Sequence, residues 1–141
     1  MRLPAPVRHH GILWLLGVSL AAGCGSAGPR RDISGTVTLQ GQPVTIGRIQ
    51  FFNDHGPAGG ALIQNGTFRL TGDQGLEPGR YRVWISVTQP LPELRKPGES
   101  APPTRELIPE EYNQRSTVTI EVADRGPNTF TFAIPNSAPK P

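Results

Sequence analysis

Glycine and proline punctuate this chain so closely that a helical bundle is excluded before any other feature is weighed. The 141 residues hold 17 Gly and 16 Pro. An interior proline costs a helix about 3 kcal/mol and an interior glycine about 1 kcal/mol. Between these breaks, apolar and polar residues alternate. Ile33, Gly35, Val37 and Leu39 interleave with Ser34, Thr36 and Thr38, the period-two pattern of a half-buried strand. Similar runs recur at 47–52, 61–64, 67–70, 80–88, 118–122 and 130–134. Asn65-Gly66 lies between two of them. Asn-Gly is the strongest short hairpin signal, because both residues accept positive φ. Gln40-Gly41-Gln42-Pro43 and Arg125-Gly126-Pro127-Asn128 read as further turns, and the Gly-rich stretch 53–60 as a loop. About seven short strands at this spacing predict an all-β fold, a β-sandwich or a small barrel.

Inward positions of these runs give the expected core: Val37, Ile49, Phe51, Leu62, Phe68 and Leu70, then Tyr81, Val83, Ile85, Val118, Ile120, Phe130 and Phe132. Residues 89–108 break the pattern with Pro90, Pro92, Pro97, Pro102 and Pro103. No strand or stable helix fits that spacing, and a long Pro-rich loop is predicted. Loops of this length are commonly functional. One helical turn is predicted at 109–113, with Pro109 at its first position and Glu110 and Glu111 at the positive end of its dipole.

The first 24 residues are an address rather than part of the fold. Arg2 and Arg8 precede an apolar run at 11–22, which ends in Ala21-Ala22-Gly23-Cys24. This is the layout of a secretory signal, and the run is shorter than the ~20 residues of a membrane span. Cys24 is the only cysteine, so a disulfide framework and a Cys-rich zinc site are excluded. The tetrapeptide resembles the lipobox of bacterial lipoproteins, in which small residues precede the cut and the thiol carries a diacylglyceryl group. Ala21 stands where that family usually has Leu, and Leu20 lies one place earlier. The resemblance implies a signal peptide at 1–23, a lipid on Cys24 with a fatty acyl chain such as palmitate on its amine, and a tether at 24–32. The implied location is the cell envelope, exported and membrane-anchored. Gly25 after the cysteine implies the outer rather than the inner membrane. The plainer alternative is an ordinary secretory signal with an incidental cysteine. Arg30 and Arg31 on the tether read as a solvated pair, and 136–141 as a loose tail.

Three further segments carry a second resemblance. They are Ile33-Ser34-Gly35-Thr36-Val37-Thr38-Leu39-Gln40-Gly41-Gln42-Pro43-Val44, Gly66-Thr67-Phe68-Arg69-Leu70, and Gly75-Leu76-Glu77-Pro78-Gly79-Arg80-Tyr81-Arg82-Val83. They look like a carboxypeptidase regulatory-like domain. The segment Leu107-Ile108-Pro109-Glu110-Glu111-Tyr112-Asn113-Gln114-Arg115-Ser116-Thr117 is similar to one that precedes the last two strands in small planctomycete lipoproteins of this kind. The resemblance implies a seven-stranded transthyretin-like (prealbumin-like, Ig-like) β-sandwich over 33–135. It implies backbone roles for Gly35, Gly41 and Gly79 and a buried ring at Tyr81. It carries no catalytic residue to this chain.

The formal charge of +3 first suggests nucleic acid. Removing residues 1–23 takes away Arg2 and Arg8 and no acid, leaving +1. Export and this small charge argue against nucleic acid. His55 would be the one histidine after cleavage. It offers too few neighbours for a zinc site, which needs three or four ligands, and no nucleophile motif accompanies it. Glu106, Glu110 and Glu111 are too close in sequence to straddle a glycosidic bond and read as a solvated helix start. Arg69, Arg80 and Arg82 could align on one exposed sheet face. Trp84 shares the parity of Arg80 and Arg82, a basic-aromatic stripe suited to an acidic glycan or a protein. Trp84, Arg80 and Arg82, with Tyr112 at the end of the Pro-rich segment, are the candidate binding residues. The expectation is a non-enzymatic binding or structural module with no cofactor and no metal. Its partners would be membrane lipid through Cys24 and an envelope protein or glycan. A carbohydrate-binding accessory domain, or a non-catalytic subunit of an envelope enzyme, is the alternative.

Overall fold

A computed structural model describes residues 28–135. The signal segment expected at 1–23, Cys24, the start of the expected tether and the tail at 136–141 lie outside them. The described residues are all-β. Ten strands follow one another: β1 (Ile33–Leu39), β2 (Gln42–Pro43), β3 (Ile46–Asn53), β4 (Gly56–Gln64), β5 (Thr67–Leu70), β6 (Gly79–Ser86), β7 (Thr88–Pro90), β8 (Thr104–Glu106), β9 (Thr119–Val122) and β10 (Asn128–Ile134). Single 3-10 turns occur at Gly72–Gln74, Pro92–Leu94 and Glu110–Tyr112.

One curled sheet runs in the order β10-β1-β5-β4-β3-β6-β9, with β2 paired to β1 off that path. All its pairs are antiparallel except β1 with β10. The curl has a local origin. β4 and β5 share one bonded pair, Gln64 with Thr67, across the Asn65-Gly66 turn. Both turn residues have positive φ, 49° and 77°, as the hairpin signal requires. Beyond that pair the two strands separate and carry their apolar faces to opposite sides of one core.

Ile33 and Val37 of β1, Phe68 and Leu70 of β5, and Phe132 and Ile134 of β10 line one side. Ile49, Phe51, Ile63, Val83, Ile85 and Val122 line the other. Each such side chain stabilises the fold by about 1.5–3 kcal/mol on burial. The Phe68 ring lies 6.1 Å from both Phe51 and Phe132, centroid to centroid, and so ties the two sides together. Gly35 makes room for it. A Cβ there would stand 2.7 Å from the Phe68 ring and would collide with the Phe130 carbonyl.

The structure departs from the sequence expectation in several places. There are ten strands rather than about seven, because β2, β7 and β8 are short additions. Leu62 is not in the core; it is 57% exposed, and Ile63 is fully buried in its stead. In a two-residue hairpin, Gln64 and Thr67 share a face, so Ile63 falls on the face of Phe68. A shift of one residue reverses every side chain of a strand. Val118 and Phe130 are half-buried against the core rather than within it. The loop expected at 53–60 shrinks to a tight turn, and Gly56 already begins β4. Residues 89–108 are not free of strands. Thr88–Pro90 pairs with Thr104–Glu106 as a separate two-stranded ribbon. Pro90 closes one strand and Pro103 precedes the other, so neither proline costs a ladder bond. The turn at 110–112 forms, but Pro109 caps it rather than opening it.

Strand register also fixes the two ends of the molecule. β1, β6 and β10 begin at the end where β3, β5 and β9 finish. The tether enters there. The Asn65-Gly66 turn and the β7–β8 arm lie at the opposite end. Arg30 and Arg31 are not a free pair. Arg30 donates to the Gly75 carbonyl at 2.9 Å. Arg31 forms a β-bridge with Leu76 and an ion pair with Asp124 at 2.5 Å. The folded domain therefore begins three residues before β1.

Candidate functional site

β6 carries three of the candidate residues. Tyr81, Val83 and Ile85 face the core, so strand alternation turns Arg80, Arg82 and Trp84 outward. The Arg82 guanidinium sits 4.8 Å from the centre of the Phe52 ring, the residue opposite it on β3. Such a contact contributes about 0.5–1 kcal/mol at an exposed site. Trp84 is half-buried and faces Gln50, and Arg48 lies one row further on, between Leu62 and Ser86. Arg80 reaches the Thr119 hydroxyl at 3.5 Å. The outer face of β3 and β6 is thus basic and aromatic, and β9 adds Thr119 and an acid, Glu121, opposite Arg80. Arg69 is not part of it. It sits on β5, on the other side of the curled sheet, beside the outward hydroxyls of Ser34 and Thr129. There the outer face is a hydroxyl ladder: Ser34 to Thr129 and Thr36 to Thr131, both at 3.3 Å.

Tyr112 is half-buried and packs against the core from the 110–112 turn. Its neighbours in sequence prove more informative. β9 covers the edge of β6 only from Gly79 to Arg82. Past that point, side chains from 106–118 take over. Ser116 Oγ donates to the Val83 carbonyl at 2.5 Å, and Asn113 Nδ2 to the Ile85 carbonyl at 2.6 Å. Both polar residues are buried. Glu106 is not merely solvated. Its carboxylate accepts from the Ser86 hydroxyl at 2.6 Å, from the Val87, Leu107 and Ile108 amides at 2.9–3.0 Å and from Asn113 at 3.2 Å. Glu106 thereby clasps the base of the β7–β8 arm to the end of β6. Glu110 pairs with Arg115 at 2.5 Å on the surface. The sequence pattern did not reveal Asn113, Ser116 or this role of Glu106. A polar residue after a proline-rich stretch looks the same whether it faces water or a carbonyl.

The arm projects exposed residues, Leu94 among them at 56%. A groove of about 400 Å³ lies at its base between Leu39, Pro43, Val44, Val87, Pro90 and Leu107. A larger opening, about 780 Å³, lies between β4 and β5. His55 is exposed in the β3–β4 turn, where its amide donates to Asn53 Oδ1 at 2.9 Å. Among the described residues no three His, Cys, Asp or Glu side chains gather as a metal site requires. No helix there is long and apolar enough to cross a membrane. The Tyr81 phenol is held above its ordinary value. Burial, and then the charge of Glu77, raise it. Its hydroxyl donates to the Glu77 carbonyl at 2.9 Å, four residues upstream. A tyrosine that bonds back in this way fixes a strand corner.

No protein-family model, no curated protein and no solved structure gives a significant match to this chain.

Proposed function

We propose that this protein is a lipid-anchored cell-envelope lipoprotein whose domain, a transthyretin-like β-sandwich, binds partners without catalysis. The signal at 1–23 directs export, and Cys24 carries the lipid. One lipid chain gives marginal attachment, whereas two or more hold a protein durably. The observation that carries the reading is the division of the molecule's two ends. Arg30 and Arg31 pin the tether to one end through Gly75, Leu76 and Asp124. The arm and the outer face of β3 and β6 stay clear of it, while Arg31 and Asp32 border the face of Ser34, Arg69 and Thr129. The closing of two apolar strand faces on one core supports the sandwich. The test is fractionation of cells expressing the wild type and Cys24→Ser. Loss of the protein from the membrane fraction is expected; unchanged membrane association overturns the anchor.

The second reading is carbohydrate binding. It is favoured by the outer face of β6, where Trp84 follows the stacked Arg82–Phe52 pair. Aromatic faces stack on sugar rings, and guanidinium groups bind their carboxylates. A glycan array that retains an acidic saccharide on the wild type and loses it on Trp84→Ala supports this reading. An array without signal removes it and leaves a protein partner.

A further inference from the structure

Two neighbouring strands in the sheet path stop bonding after a single pair, and an opening of about 780 Å³ lies at that place. Gln64 bonds Thr67, and the ladder between β4 and β5 ends there. Strand geometry says which groups are left. On β5, the Val37 amide donates to the Gly66 carbonyl. Alternation then turns the main chain of Phe68 and Leu70 towards β1. The N–H and C=O of Arg69 point the other way, into the seam. On β4, the Gln64 pairing sets the same alternation. Ala61 and Ile63 turn their main chain to β3, while Gly60 and Leu62 turn theirs to the seam. Arg69, Gly60 and Leu62 all line the 780 Å³ opening, together with the hydroxyls of Ser34, Thr36 and Thr67.

The walls of this opening suit one kind of occupant. Each is an open strand edge, which offers donors and acceptors at the spacing of another strand. Gly60 adds no side chain on its wall. Arg69 is exposed and forms no ion pair among the described residues. The other early-ending ladder, along β6, is closed by Asn113, Ser116 and Glu106, and the remaining unpaired edges of the sheet path among the described residues are the outer sides of β9 and β10 at its two ends.

We infer that the β4–β5 seam accepts an extended peptide of a partner protein, added as a strand, with an acidic side chain of that peptide on Arg69. The inference rests on the proposed binding role of the domain and not on the lipid anchor. It assigns the partner's chemistry: an extended, proline-poor segment with an Asp or Glu on its outward face. Main-chain bonds to Gly60, Leu62 and Arg69 supply the affinity, and Arg69 supplies the choice of charge.

Two measurements on the full chain test it. The first is amide hydrogen exchange by NMR. In the free protein, the Gly60, Leu62 and Arg69 amides exchange fast, while Ala61, Ile63, Phe68 and Leu70 are protected. Protected Leu62 and Arg69 amides mean that the seam is closed and overturn the inference. The second uses a random heptapeptide library displayed on phage. Enriched peptides are expected to be proline-poor and acidic. They should slow exchange at Gly60, Leu62 and Arg69 by about 100-fold at saturation, and Arg69→Glu should reverse their charge preference. No enrichment overturns the inference, as do peptides indifferent to Arg69→Glu that leave those amides fast. Either result stands apart from the fractionation of Cys24→Ser, which reads the anchor alone.

Discussion

The edge of β6 beyond Arg82 and the seam between β4 and β5 begin alike, as ladders that end early, and are finished differently. Along β6 the chain meets both groups of Val83, the Ile85 carbonyl and, just past the strand, both groups of Val87. Val118 accepts from the Val83 amide, Ser116 and Asn113 donate to the Val83 and Ile85 carbonyls, and Glu106 and Leu107 take the Val87 amide and carbonyl. The segment 106–118 is in effect a strand replaced by side chains. At the seam no such segment arrives among the described residues, and Gly60, Leu62 and Arg69 are exposed. An open edge invites pairing with other chains, and proteins normally cover it, charge it or bend it. Here the cover was built for one edge, while the other kept a concave opening with an arginine on its wall. Closing the β6 edge serves stability, and an open seam is what the proposed strand addition requires.

The sharpest way to break the comparison is to uncap β6. Asn113→Ala removes the donor to the Ile85 carbonyl, which is then left in a buried site without a partner. An unmet buried acceptor costs about 1–3 kcal/mol. We expect a loss of about 2–3 kcal/mol in urea unfolding, with an unchanged m-value. A loss under ~0.5 kcal/mol would mean that water replaces the side chain and that the edge is not truly capped.

Glu106→Ala acts on the same edge from its exposed end. It strips a shared acceptor from the Val87, Leu107 and Ile108 amides and from Ser86 and Asn113. Because water can reach the site, about 1–2 kcal/mol is expected rather than the sum of its bonds. Exchange of the Val87 and Ile108 amides should rise, and the arm should loosen from its base. Unaltered exchange at both would show that the arm is held by packing alone.

Much of this could be read in the sequence, and the part that could not has a physical reason. Alternation in Ile33–Leu39 and the Asn65-Gly66 turn identified strands and a hairpin, because both are local rules about side-chain direction and φ. Leu62 was misplaced although the information was present: the hairpin rule pairs Gln64 with Thr67 and so puts Ile63, not Leu62, opposite Phe68. Gly56 and Gly59 hid the start of β4, since glycine marks loops by composition, yet Leu76 and Leu70 crowd the place where a Gly59 Cβ would stand. The candidate stripe of Trp84, Arg80 and Arg82 was legible from parity within one strand. Arg69 was wrongly joined to it, because parity says nothing of which side of a curled sheet a strand occupies. Asn113 and Ser116 were silent, since their partners lie 28 and 33 residues away in the chain.

The near end of β6 offers a control in which an edge is conventionally paired and one hydroxyl holds the corner. Tyr81→Phe removes the bond to the Glu77 carbonyl and should cost about 1 kcal/mol at neutral pH. It should also change the alkaline limb. Burial and the Glu77 charge hold the folded phenol above its ordinary value near 10. In the window above pH ~10 the unfolded state has lost its proton and the folded state has not. The contribution is therefore complete below pH ~10 and is lost as pH rises through the folded value. Wild type should lose stability above pH ~10 more steeply than Tyr81→Phe. Parallel limbs for the two proteins would place the phenol in solvent.

The seam should show the smallest effect of all, and that is what gives the comparison its content. Leu62 is 57% exposed and points away from the core. Leu62→Lys changes its side chain while keeping the main-chain groups that face the opening. Surface changes of this sort lie within about ±0.5 kcal/mol, against the 2–3 kcal/mol expected of Asn113→Ala. If the side chain instead closes the opening over the Phe68–Leu70 strand, replacement by lysine will cost well over 1 kcal/mol and expose buried surface. Urea midpoints of the two variants, measured side by side, decide between an open seam and a covered one. An open seam should also leave the Arg69 amide exchanging as fast in Leu62→Lys as in the wild type, because nothing on β4 was holding it.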